Sequence, residues 1–318
     1  MTSNRPDVLK ALADVEVETS QHASGLQVFG LKWLSPKSVD YMTLDEAVTA
    51  RILDVAEIDE RGRVSTIKVV NKSDRLVFLM AGELLVGCKQ DRVINASIMA
   101  PTMSELHIPA TCVEAGRWTY RSRKFSSGGS SSHGLLRMMM SRQAADHYRA
   151  RGMPGSDQGA VWSEVARKMA KTRSSSPSGA LQEMYRDYAI RLEEVLAKIS
   201  APTSCHGAAF VIHGQIVAAD LFDKQSTLNK LWSKLIKSYA MDALDDSKDK
   251  PTVVQPEQIS EWVKAAGAAK QLWFDSPGVG YDVRIEDERL IGAALVVEEH
   301  PVHLELFQEQ AGAAPNRD

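Results

Sequence analysis

Residues 207–222 read GAAFVIHGQIVAADLF and residues 292–307 read GAALVVEEHPVHLELF. The two stretches align without a gap at an offset of 85, with 7 of 16 positions identical. Each opens on Gly-Ala-Ala, runs along an apolar strand, turns at His213-Gly214 or at Glu299-His300-Pro301, and returns to end on Leu-Phe. Strand, tight turn and returning strand are the pattern of a β-hairpin. The echo therefore predicts two equivalent hairpins in one sheet. A helix follows the first hairpin, capped near Ser226, with Leu228, Leu231, Trp232, Leu235 and Tyr239 on one face, and it is expected to lie across that sheet. A second helix is read from Pro256 to Ala269.

Upstream, short β-branched or apolar runs stand at Leu26–Leu34, Ile52–Ile58, Val64–Val70, Arg75–Met80, Arg92–Met99 and Glu105–Val113. Turn-forming clusters such as Asp59-Glu60-Arg61-Gly62 separate them, a spacing that suggests a sandwich or partial barrel. Thr43 and Glu46 fit a capping box and predict a short helix at Leu44–Ala50. After Trp118 the character changes. From Arg117 to Arg173 the chain carries a net charge of +9, which leaves −12 on the remainder. Within that stretch Ser126–Ser132 is expected to be a mobile loop, Val161, Trp162, Val165 and Met169 share a helical face, and Ser174–Pro177 is expected to start a helix running to about Ile199. The fold class is thus α+β, with a β-rich N-terminal part followed by helices and two β-hairpins packed with helices. The expected division is an N-terminal tail or helix (1–24), the β-rich part (25–120), a basic Ser/Gly loop with helices (121–200), a hairpin-plus-helix part (201–310) and a disordered tail (311–318).

At 318 residues, with 44% hydrophobic and 25% charged residues, the chain can bury a large core. No apolar run approaches the ~18 residues of a membrane span, and the start MTSNRPDVLKALADVEVE has the wrong order of charge and apolarity for a signal peptide. A cytoplasmic protein without membrane contact is expected. Cys88, Cys112 and Cys205 are odd in number and form no Cys-x-x-Cys, which argues against a disulfide framework and a zinc cage. Cys205-His206 are neighbours on a strand and point to opposite faces, poorly placed as nucleophile and base. His300 and His303 lack an evident third metal ligand, so neither a metal nor a cofactor is expected.

Function is sought in GELLVGCKQDRVINASIMAPTMSELHIPATCVEAGRW, residues 82–118, where polar side chains interrupt the apolar pattern. Lys89, Arg92 and Arg117 suit a phosphate or carboxylate, because guanidinium groups match two oxygens at once. Gln90 and Asn95 can orient a sugar or base edge, and Trp118 can stack on a flat ring. Glu83 joins this set as a hydroxyl acceptor, and Glu83 or Glu114 is the candidate general base. The catalytic residues are otherwise not legible, and no P-loop order is present.

The segments AGELLVGCKQDRVINASI, IPATCVEAGRW and DLFDKQSTLNKLWSKLIKSYAMDAL resemble the ARG and rhodanese-phosphatase-superfamily-associated protein domain family of prokaryotes, from about Gly25 to Phe307. The family's motif has Gly where this chain has Cys88, which weakens a catalytic role for that thiol. The resemblance implies association with ADP-ribosylglycohydrolases and rhodanese-like phosphatases, in prokaryotic conflict or nucleotide-derivative metabolism, and supplies no catalytic residue. The expected function is recognition of a phosphorylated, nucleotide-like or ADP-ribose-like ligand. The alternatives are a hydrolase of such a ligand with a Glu base, and an interaction module whose basic segment binds an acidic partner or RNA. A small anionic ligand is the expected partner, nucleic acid is not favoured, and a protein partner or homo-oligomer stays open.

Overall fold

The two echoed stretches fold as predicted and lie side by side. The computed structural model describes residues 5, 7–34, 37–62, 64–244 and 252–309; the tail expected at 311–318 lies outside them. A 3-10 helix (Val8–Asp14), capped by Asp7, leads into a hairpin of β1 (Val15–Ala23) and β2 (Leu26–Trp33). The tail or helix expected over 1–24 thus gives way from Val15 onward to an edge strand, paired with β2 through a register shift between Val17 and Ser20. Then come β3 (Tyr41–Thr43), α1 (Leu44–Thr49) with the expected Thr43–Glu46 capping box, β4 (Leu53–Ala56), β5 (Thr66–Asn71), β6 (Leu76–Leu79), β7 (Glu83–Gly87), β8 (Arg92–Ile94), β9 (Ile98–Ala100), β10 (Ser104–Cys112) and β11 (Phe125–Ser131). Helices α2 (Gly134–Arg151), α3 (Gln158–Thr172), α4 (Leu181–Asp187) and α5 (Ala189–Leu196) follow. The chain closes with β12 (Gly207–Ile212), β13 (Gln215–Phe222), α6 (Gln225–Ala243), α7 (Pro256–Ala266), β14 (Lys270–Asp275), β15 (Tyr281–Glu286), β16 (Leu290–Val297) and β17 (His300–Gln308).

These strands make three sheets, so the fold is α+β with more layers than a simple sandwich. The largest has the order β1-β2-β12-β13-β17-β16-β15-β14, every neighbour antiparallel. A six-stranded sheet runs β11-β7-β8-β10-β5-β4, and a three-stranded one β3-β6-β9. The Ser/Gly run expected to be a loop is strand β11, paired with β7. Its backbone donors and acceptors gain ladder partners there, and the extra residues around Gly128-Gly129 are taken up by a register shift between Ser127 and Ser131. The helix expected from Ser174 begins later, at Leu181, and breaks at Tyr188.

The large sheet contains a local two-fold axis. Asp220 pairs with Glu305, Phe222 with His303 and Ala218 with Phe307, so exchanging each residue for its equivalent 85 positions away maps the pairing onto itself. The hairpins share their internal register, Gly207 to Leu221 and Gly292 to Leu306, and both carry a bulge at the same place, Phe210/Val211 and Leu295/Val296. Both turn through two residues of positive φ, His213-Gly214 and Glu298-Glu299, the requirement of a type I′ turn. The second turn thus sits one residue earlier than Glu299-His300-Pro301. With β2 and β1 outside β12, and β15 and β14 outside β16, the sheet is two four-stranded halves. In the first half, residues 34–206 are inserted between β2 and β12 and carry both small sheets and α1 to α5.

Both faces of the large sheet are buried. One packs on the 3-10 helix and α7 through Phe29, Leu31, Val283, Ile285, Leu304, Leu306, Leu9 and Val263. The other packs on α2 and α6 through Phe210, Phe222, Leu295, Phe307, Leu136 and Leu231. Burial on both faces is why β16 reads as an unbroken apolar run. The inner face also receives Asp220, Asp282, Arg284, His303 and Glu305, which alternation places together opposite α2.

Candidate functional site

The stretch from Gly82 to Trp118 builds two polar clusters, one on either side of β7 and β8. The first surrounds the turn between them. Gly87, at φ +126°, lets the chain reverse, and its N–H donates to Asp91 Oδ1 at 3.0 Å. Arg117 laces this turn to its neighbours. Its guanidinium donates to Glu114 Oε1 (2.8 Å) and Oε2 (2.5 Å), to Asp91 Oδ1 (3.2 Å) and to the carbonyls of Cys88 (2.6 Å) and Thr119 (2.8 Å). Burial works against the charge on Glu114, yet hydrogen bonds from Arg117, Ser178 and the Asp91 N–H outweigh it and hold its carboxyl below the usual range. Arg92 is fully buried, paired with Glu57 at 3.2 Å and donating to the Val64 carbonyl (2.6 Å) and to Cys112 Sγ.

Lys89 ends differently. Its Nζ donates to the Arg61 carbonyl at 2.8 Å and lies 5.3 Å from the Trp118 ring centroid and 5.2 Å from that of Tyr120. Arg92 Cζ stands 5.8 Å from the same Trp118 ring, and Arg123 Cζ 5.4 Å from Tyr120. Trp118 is 41% and Tyr120 40% exposed, and Arg121 and Arg123 are exposed beside them. Gln90 is buried under the turn. The result is an aromatic rim open at Trp118 and Tyr120, flanked by the exposed Arg121 and Arg123, with the buried Lys89 against both rings and a framework of buried ion pairs around it.

Glu83 and Asn95 belong to the second cluster, toward α2 and α6, so the structure does not gather all seven sequence candidates in one place. Glu83 is buried, pairs with Lys234 at 2.5 Å and accepts the Met80 N–H at 2.8 Å. Burial raises its carboxyl above the usual range. Asn95 accepts from Thr111 at 2.8 Å and lines a small cavity with Gly82, Arg137, Ser141 and Glu305. Gly82 is needed there, since a Cβ would stand 2.9 Å from Arg137 Cγ.

Arg137, from α2, is the hub of this second cluster. It donates to Asp220 Oδ1 (2.5 Å) and Oδ2 (3.0 Å) and to Glu305 Oε2 (3.0 Å). Tyr239 of α6 donates to Asp220 Oδ2 at 2.9 Å. His303 bridges Asp220 Oδ1 (3.1 Å, through Nε2) and Ser97 Oγ (2.8 Å, through Nδ1), and its ring stacks on Phe222 at 4.7 Å. Burial works against the charge of Asp220, but the adjacent Arg137 overrides it and holds the carboxyl well below its ordinary value. Sequence reasoning did not assemble this centre. One signal was available: the sole acids in the returning strands of the echo, Asp220 and Glu305, occupy equivalent positions.

No curated protein and no solved structure matches the chain. The model of the ARG and Rhodanese-Phosphatase-superfamily-associated Protein domain matches residues 14–307, a span that takes in both halves of the large sheet and the whole insertion. The chain belongs to the ARG and Rhodanese-Phosphatase-superfamily-associated Protein domain family.

Proposed function

We propose that the protein recognises a phosphorylated, nucleotide-like ligand of the ADP-ribose class at the rim of Lys89, Trp118, Tyr120 and Arg123. The observation that carries this reading is one ammonium, Lys89 Nζ, within 5.3 Å of two aromatic rings that each keep about two fifths of their surface in water. Exposed rings are stacking platforms for a base, worth about 1–3 kcal/mol each. The exposed arginines 121 and 123 offer the phosphate partner, and the buried Lys89 adds positive charge against both rings. Arg92 and Arg117 keep the roles of frame and field, since their donors are committed to Glu57, Glu114 and Asp91. The family's name, which records association with ARG and rhodanese-phosphatase proteins, agrees with this class of ligand.

The hydrolase alternative has less support. Glu83 is paired with Lys234 and Glu114 with Arg117, so neither presents a free carboxylate to the rim. The interaction-module alternative is weakened because three cations of the basic segment, Arg117, Arg137 and Lys168, are spent on internal pairs. Thermal shift with ADP-ribose, NAD, mononucleotides and dinucleotides tests the reading. A ligand at 100 times its dissociation constant stabilises by about 2.7 kcal/mol. Absence of a shift with every one of these anions would sink it.

A further inference from the structure

Glu305 borders two interior cavities of about 10 Å³ each, one toward Arg137 and Asn95, the other lined by Ser97, Asp282, His303 and Glu305 itself. A space of about 10–15 Å³ admits one water or one ion and excludes any organic substrate. The second cavity is lined by Asp282, His303 and Glu305, and Asp220, which lines neither cavity, stands 3.1 Å from His303 Nε2. Asp220, His303 and Glu305 each present a ligand atom, and the three atoms lie within 4.8 Å of one another. Arg137 engages only Oε2 of Glu305. Asp282, 2% exposed, accepts at Oδ2 from the Tyr148 hydroxyl and the Arg284 guanidinium, while its Oδ1 has no hydrogen-bond partner among the described residues.

We propose that this centre binds one divalent cation, ligated by Asp220, His303 and Glu305 with Asp282 beside it. One imidazole nitrogen with carboxylate oxygens and no thiolate suits Mn²⁺ or Zn²⁺. Arg137 and Tyr239 hold Asp220 in place, the part that outer hydrogen-bond donors play around metal ligands. The site is separate from the Trp118 rim, and its fate does not depend on the ligand proposed there.

The full chain, stripped with a chelator, is dialysed against Mn²⁺ or Zn²⁺ alone, and the metal retained is counted by mass spectrometry. One ion per chain is expected, with affinity falling about tenfold or more in Glu305→Gln and His303→Ala. Because a buried substitution can prevent folding, crystals of the unaltered protein grown with Mn²⁺ supply a second measurement at the manganese edge. An anomalous peak about 2.0–2.6 Å from atoms of Asp220, His303 and Glu305 confirms the site. Substoichiometric retention, a peak elsewhere, a water in the cavity, or a folded Glu305→Gln that binds as well as the parent overturns it.

Discussion

Asp220 and Glu305 are Cα partners on β13 and β17, and the guanidinium of Arg137 donates to both, at 2.5 and 3.0 Å. Two carboxylates this close repel unless a cation stands between them. The cation comes from α2, inside the insertion, so this contact ties the inserted layers to the duplicated sheet at its local axis. Arg137→Met removes the cation and leaves two buried acids, a change that costs about 3–5 kcal/mol in unfolding free energy. Urea unfolding checks it; a loss under about 1 kcal/mol would show that the pair is not what joins the layers.

The hairpins and amphipathic helices were legible because periodicity and turn chemistry are local. Thr43 with Glu46, and Gly207 with Gly292, carry their meaning in sequence. The site was not legible for two reasons. Arg92 and Arg117 look like ligand cations until the fold brings in Glu57 and Glu114, and no local pattern reports a partner found through folding. Ser126–Ser132 reads as a loop because a Ser/Gly strand buries little apolar surface; pairing with β7 sets its structure.

Glu83 and Lys234 test whether the second cluster is structural. Lys234→Met strands a buried carboxylate and is expected to cost about 3–5 kcal/mol. Adding Glu83→Gln keeps an acceptor for the Met80 N–H and removes the stranded charge, so the double variant should be more stable than Lys234→Met alone, with a coupling of about 0.5–3 kcal/mol. Simple additivity in a double-mutant cycle would show that the 2.5 Å pair carries no energy.

Alkaline pH should destabilise the fold before lysines titrate. Burial pushes the thiols of Cys88 and Cys112 up to about 11 and that of Cys205 to about 12, from 9.0. Burial likewise raises the Tyr185 and Tyr239 phenols well above 10.0. Above the ordinary thiol value the unfolded chain releases protons that the folded chain keeps, so the unfolded state binds fewer protons and stability falls as pH rises. Urea midpoints should drop from about pH 9 upward, and the three thiols should resist alkylation until the chain unfolds. Rapid labelling of the folded protein at neutral pH would contradict this burial.

Trp118→Ala separates binding from stability at the rim, and Lys89→Ala tests the charge held against it. Trp118 is 41% exposed, so its removal should change stability by less than about 1 kcal/mol. Loss of one stacked ring should weaken the nucleotide-like ligand by about 5-fold to 150-fold. Lys89→Ala should weaken phosphorylated compounds and flatten the salt dependence of binding. Titration calorimetry across salt concentrations measures both; equal affinity for the parent and Trp118→Ala would move the ligand away from this surface.

Gly207 and Gly292 are equivalent residues, and the structure asks the same of both. A Cβ on Gly207 would stand 2.2 Å from the carbonyl oxygen of Asp220, and one on Gly292 would stand 2.3 Å from that of Glu305. These are backbone obstacles, so the strands must part for a methyl group to enter, and the strands that part carry the two acids at the local axis. Gly207→Ala and Gly292→Ala should each lower stability by about 2 kcal/mol or more, by similar amounts, and each should loosen the hold of Arg137. Amide exchange along β13 and β17 reads the second effect directly. Tolerance at one glycine and not the other would mean that the two halves share a chain path but not the tight packing on which their common register depends.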